Sequence, residues 1–108
     1  MPARIFLSGC NGRMGRTIRS MVAESADLLI VAGSDLQTDL TCPFPVYQDP
    51  EQCSEAFDVL IDFSTPDALA ALSRLISARH CPAVICTTGL NAEQQSLLDQ
   101  LSASAAIF

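Results

Sequence analysis

Short apolar runs along the chain alternate with stretches in which apolar residues recur every three or four positions. Residues 4–8, 28–32, 59–62 and 83–86 are runs of strand length, and 28–32 is unbroken, as in a strand covered on both faces. Residues 13–24 carry Met14, Ile18, Met21 and Val22 at helical spacing, which predicts a helix with those four side chains on one face. Ser64-Thr65-Pro66 opens another helix through an N-cap followed by proline, with Leu69, Leu72, Leu75 and Ile76 as its buried stripe. Asn91 caps a last helix in which Leu97, Leu98 and Leu101 repeat. A short helix is expected from Asp49-Pro50-Glu51-Gln52, with Asp49 as N-cap, proline first and Gln52 completing a capping box, ending near Ala56. Residues 34–47 are polar with Pro43 and Pro45 and read mostly as loop. Residues 105–108 read as a fifth strand, cut as it begins.

Strands alternating with helices at this rhythm imply an α/β fold with a doubly wound parallel sheet, Rossmann-like. No internal repeat, low-complexity segment or linker divides the chain, so residues 1–108 are expected to form one domain. The apolar end without a polar tail suggests a domain excised from a longer protein.

Composition narrows the function classes. Hydrophobic residues are 49% and charged residues 17% of the chain, and no apolar run approaches the roughly 20 residues of a membrane span. The first residues run straight into a strand without a signal-peptide layout, so a cytoplasmic protein is expected, with no membrane partner. The formal charge is -6, while four of the six basic residues (Arg4, Arg13, Arg16, Arg19) fall in the first strand–loop–helix unit. An otherwise acidic surface argues against nucleic acid as a partner, and the local positive charge suits a phosphorylated small molecule. Five cysteines (Cys10, Cys42, Cys53, Cys81, Cys86) include no C-x-x-C pair, so reduced thiols are expected and no metal site.

The chemistry-bearing segment is Gly9-Cys10-Asn11-Gly12-Arg13-Met14-Gly15, directly after Ile5-Phe6-Leu7. A strand breaking into spaced glycines and then a helix offers main-chain N–H groups and a positive dipole end to a pyrophosphate. Gly9 would make the turn, Gly12 would admit the pyrophosphate, and Gly15 would let the helix approach the sheet. Asp35 follows Gly15 by twenty residues, at the end of the second strand, where a carboxylate accepts hydrogen bonds from both ribose hydroxyls. The alternative for Asp35 is a solvated loop residue or turn cap. That carboxylate repels a 2′-phosphate, and Leu36, Gln37 and Thr38 supply no base beside it, so NADH is preferred over NADPH. Arg13 and Arg16 are the bases near enough in sequence to rescue some phosphate binding. Two further strand ends, Asp62-Phe63-Ser64-Thr65-Pro66 and Cys86-Thr87-Thr88-Gly89, fall at the carboxyl edge, where open α/β sheets bind ligands. Phe63 can lie against a nicotinamide ring or be a core aromatic. The backbone of Cys86, Thr87 and Thr88 can bond the carboxamide or simply end a strand.

Gly12-Arg13-Met14-Gly15-Arg16, then Asp62-Phe63-Ser64-Thr65-Pro66, then Thr87-Thr88-Gly89 together resemble the N-terminal half of the 4-hydroxy-tetrahydrodipicolinate reductases (dihydrodipicolinate reductases), over essentially the whole chain. The resemblance implies a nucleotide-binding domain truncated before a second, α+β domain that binds substrate and forms a homotetramer. It implies hydride transfer from NADH or NADPH to a cyclic imine-type substrate of lysine and diaminopimelate biosynthesis. It further implies that Gly9, Cys10, Asn11, Gly12, Arg13 and Met14 form the pyrophosphate loop, with Asp35 the ribose acid. Phe63 would sit beside the nicotinamide, and Cys86, Thr87 and Thr88 would hold its amide. Members usually have glycine where this chain has Cys86, and those using both cofactors often place a base where it has Leu36. The family's substrate segment, two histidines, a lysine and Asp-Ala-Pro-Ser-Gly-Thr, does not occur, and the chain has no lysine. Its one histidine, His80, is expected at a helix C-terminus, where it suits the dipole. No catalytic residue is therefore expected in these 108 residues, and the piece alone is expected to bind cofactor without turnover. Two other classes fit the loop: a non-catalytic redox-sensing NAD(H) module, and another two-domain dehydrogenase of the homoserine or aspartate-semialdehyde type.

Overall fold

A computed structural model describes residues 2–36, 42–103 and 105–108. The described strands are β1 (Ala3–Ser8), β2 (Leu28–Ser34), β3 (Val46–Tyr47), β4 (Val59–Asp62) and β5 (Ala83–Ile85), and they form one parallel sheet in the order β3-β2-β1-β4-β5. The chain therefore winds outward from β1 in one direction, then returns past it and winds outward in the other. Helices α1 (Arg13–Ala23), α2 (Leu69–Arg79) and α3 (Ala92–Leu101) complete the layers.

The two sheet faces bury separate clusters, which is what makes the sheet doubly wound. Ile5, Leu7 and Ile30 gather with Val22 of α1 and Phe44. Phe6, Ala32, Leu60 and Ala83 gather with Leu72, Leu75 and Ile76 of α2 and Leu101 of α3. Ile30 and Ala32 are two apart and would share a face in a regular strand, yet they join opposite clusters. The pairing with β1 slips between Ile5 and Phe6, so Val31 is an inserted residue that turns the rest of β2 over. Burying these faces at about 25 cal/mol per Å² supplies the main favourable contribution to folding.

Several expectations are corrected. Helix α1 buries Gly15 and Val22 and half-buries Ile18, whereas Met14 and Met21 are 50% and 66% exposed. Only the i, i+3, i+7 line of Gly15, Ile18 and Val22 turns inward. Strand β2 runs two residues past the expected end, to Ser34, and residues 46–47, expected as loop, pair with it as β3. The expected helix from Asp49 to Ala56 is a single 3₁₀ turn over Pro50–Gln52, capped by the Asp49 side chain on the Glu51 N–H at 3.0 Å. It stops because Cys53 turns extended and Arg79 takes the carbonyls beyond, those of Cys53 at 2.6 Å and Glu55 at 2.5 Å. Thr65 precedes a similar turn, Pro66–Ala68, that leads into α2, without a side-chain cap bond. Helix α3 carries the full capping box between Asn91 and Gln94. Residues 105–108 lie along β5 through a parallel bridge from Ala83 to Ile107. All four helical leucines and isoleucines of the α2 stripe are buried.

Candidate functional site

The site is assembled where β1, β2 and β4 end side by side. Gly9 leaves β1 at φ +81, a region that L side chains avoid, and a Cβ there would lie 2.7 Å from the Phe63 carbonyl oxygen. Its N–H donates to the Ser34 carbonyl at 2.7 Å, fastening the loop to the tip of β2. Gly12 N–H returns to the Gly9 carbonyl at 3.2 Å, and Arg16 N–H to the Gly12 carbonyl at 2.9 Å begins α1. Gly12 is the N-cap residue and brings no side-chain cap, so the first-turn N–H groups have no partner within the helix. A Cβ on Gly15 would stand 2.1 Å from the Gly9 oxygen; this glycine admits the loop's own backbone rather than the strands. At Gly12 the nearest atom is 3.5 Å away, ordinary contact.

Side chains behind the loop hold its shape. Arg16 Nε donates to the Asn11 carbonyl at 3.0 Å, and one Arg19 amino nitrogen lies 3.2 Å from the Asn11 side-chain oxygen. The Cys10 and Cys42 thiols approach that same oxygen at 3.9 and 3.5 Å. Burial is the chief cause that pushes the Cys10 thiol up to about 12, so it stays protonated as a weak donor. Cys10 and Asn11 are thus buried props of the loop, not lining of the cleft in front of it. The Asn11 backbone N–H donates to an Asp35 carboxylate oxygen at 2.9 Å, so the acid at the end of β2 also steadies the loop.

In front lies a cleft of about 540 Å³, within the range of small-molecule sites. Gly9, Gly12, Asp35 and Phe63 all line it, as do Ser8 and Ser34 at the strand ends. Phe63 belongs to neither core cluster; it is half-buried at the tip of β4. Sequence reasoning missed the outer walls: Leu36 after β2, Pro50 of the 3₁₀ turn, and Ala68, Ala71 and Arg74 of the α2 segment. The last three follow at intervals of three beside the stripe Leu69, Leu72, Leu75, and that spacing was the available signal. Gln37 and Thr38, read as lacking a base, lie outside the described residues.

Arg13 and Met14 are exposed on the first turn of α1 and do not line the cleft. Nor do Cys86, Thr87 and Thr88, which sit at the tip of β5. Cys86 N–H donates to the Asp62 carbonyl at 2.9 Å, and the Thr87 hydroxyl to the Asp62 carboxylate. Those groups are occupied within the fold. Asp62 is fully buried and also receives the Ser64 N–H at 2.9 Å and the Ser64 hydroxyl, latching the segments after β4 and β5 together. The sequence marked Asp62 only as part of a motif, because its donors lie two and twenty-five residues away. His80 is exposed and ends α2 in the left-handed conformation, φ 51 and ψ 37. Among the described residues no helix is long and apolar enough to cross a membrane.

The family described as dihydrodipicolinate reductase, N-terminus, matches residues 3–108. The 4-hydroxy-tetrahydrodipicolinate reductase of Clostridium novyi is 37% identical over 105 residues, which are 97% of this chain and 42% of that protein. The corresponding reductase of Caldanaerobacter subterraneus subsp. tengcongensis is 37% identical over 108 residues, the whole chain and 43% of the relative. The chain thus spans about two-fifths of the length of these relatives. Among solved structures, dipicolinate-bound dihydrodipicolinate reductase from Paenisporosarcina sp. TG-14 superposes with a TM-score of 0.77 at 24% identity, covering 94% of this chain and 43% of that one. Myo-inositol 2-dehydrogenase from Lactobacillus plantarum gives 0.72 at 15% identity, over 100% of this chain and 36% of that one. At those identities the likeness is one of fold.

Proposed function

The chain belongs to the dihydrodipicolinate reductase N-terminal family, and from that premise we propose that residues 1–108 are the dinucleotide-binding domain of a cytoplasmic 4-hydroxy-tetrahydrodipicolinate reductase of lysine and diaminopimelate biosynthesis. One observation carries the reading: the glycine loop, the uncapped start of α1 and the Asp35 carboxylate bound a single cleft where the winding of the sheet reverses.

The residues fit a nicotinamide dinucleotide. Gly12 lines the cleft and nothing within 3.5 Å fills the space its missing side chain leaves. An anion seated there meets main-chain N–H groups and the positive end of α1, with no side chain to be displaced. Asp35 orients the ribose by accepting from its hydroxyls, while its second task, holding the Asn11 N–H, keeps the loop and the acid in fixed relation. Phe63 offers an apolar surface at the tip of β4, and the Asp62 latch fixes the neighbouring backbone. The chemistry supplied by the bound cofactor is hydride donation. The chain's own part is to hold, orient and exclude water.

NADH is the preferred cofactor in this reading, because the Asp35 carboxylate faces the 2′ position and Leu36 brings no compensating charge. Substrate binding and the homotetramer belong to the longer protein. Titration of NADH and NADPH against the chain tests the reading. NADH should bind more tightly, and Asp35→Asn, which retains an acceptor for Asn11, should weaken NADH about tenfold. Equal affinities for the two nucleotides would show that this carboxylate does not set the choice. In a steady-state reductase assay the 108 residues alone should give no turnover.

A further inference from the structure

The cleft in front of Asp35 is acidic: Asp35, Asp49 and Asp67 all line it. Among the described residues lining it, Arg74 is the only cation. Arg16, one of the two bases the sequence offered for a 2′-phosphate, donates instead to the Asn11 carbonyl and lines a separate depression with Arg19 and Phe44. Arg13 does not line the cleft.

Arg74 lines the cleft from α2, one helical step beyond Ala68 and Ala71, which line it too. Its Nε donates at 2.9 Å to Oε1 of Glu51, which stands on the 3₁₀ turn that Asp49 caps. The two side chains are 60% and 37% exposed, so the pair is a weak one that a competing anion can open. The bond uses Nε alone. Among the described residues the two terminal nitrogens, the fork that matches a phosphate, make no hydrogen bond.

We propose that the Arg74–Glu51 ion pair is a specificity device of this cleft: Arg74 is the group that a 2′-phosphorylated adenosine would engage, and Glu51 withholds it. The inference rests on the dinucleotide reading and adds to it a second determinant, on the α2 wall of the same cleft. A 2′-phosphate entering the cleft must meet three carboxylates and draw Arg74 away from a fourth. A free 2′-hydroxyl needs neither.

The test is a fluorescence titration of NADH and NADPH against the unmodified chain, Glu51→Gln, Arg74→Ala and the double variant, with thermal melts to verify folding. Both residues are at the surface, so the melts should coincide. Glu51→Gln should tighten NADPH about fivefold and change NADH far less. Adding Arg74→Ala should erase that gain, and raising the salt concentration should shrink it, as expected for an exposed charge contact. An NADPH/NADH ratio unchanged by Glu51→Gln, or a gain that survives removal of Arg74, overturns the inference while leaving the cofactor reading intact. If neither nucleotide binds the unmodified chain, the cofactor reading itself fails and this inference with it.

Discussion

A Cβ on Gly15 would sit 2.1 Å from the Gly9 oxygen, whereas one on Gly12 would find its nearest atom at 3.5 Å. The two glycines of the same motif therefore meet different demands, one from the fold and one from whatever enters the cleft. Gly15→Ala should lower stability by about 2–3 kcal/mol, because backbone rather than a flexible side chain must move. Gly12→Ala should leave the melting curve nearly unchanged yet weaken NADH about tenfold or more. Thermal melts and NADH titrations of both variants check this, and a Gly15→Ala protein of unchanged stability would contradict it. The sequence made these glycines legible through their spacing after a strand. It did not reveal that Cys10 and Asn11 face away, since their positions depend on Arg19 and Cys42, partners remote in the chain. Asp35 was legible as an acid at the end of a strand, but its bond to the Asn11 N–H needed the folded loop.

Among the elements, the long ones follow from periodicity and the short ones from contacts that periodicity does not encode. Helix α2 buries the stripe its spacing predicts, and α3 begins at the capping box that Asn91 and Gln94 announce. The 3₁₀ turn at Pro50–Gln52 has the same opening signature, yet it ends after one turn because Arg79 captures the next carbonyls. Strand β3, only two residues long and directly after Pro45, is too short to carry a pattern of its own. His80 was expected at a helix end and stands there, though in a left-handed conformation that favours glycine. Its exposed side chain should contribute less than that backbone costs. His80→Gly should therefore raise stability by about 1 kcal/mol in chemical denaturation. A loss of stability would show that the imidazole makes a compensating contact.

For the molecule as a whole, the alternation of strands and helices was enough to predict a doubly wound parallel sheet, and three motifs in order were enough to indicate the family. The outer walls of the cleft were not legible. Leu36, Pro50 and Arg74 are brought together only once β2, the 3₁₀ turn and α2 meet around the carboxyl edge. Likewise the tip of β5 shared a motif list with Phe63 but stands apart from the cleft, tied inward to Asp62. The proposed function treats that edge as a unit, with strand ends, glycine loop and helix start facing one ligand at once. Amide NMR of the uniformly labelled chain during an NADH titration interrogates all of them together. Saturable shifts should centre on Gly9, Gly12, Arg13, Asp35, Leu36 and Phe63, with the depression beside Arg19 and Phe44 unaffected. Shifts centred on that depression, or none at all, would contradict a dinucleotide lying across the ends of β1, β2 and β4.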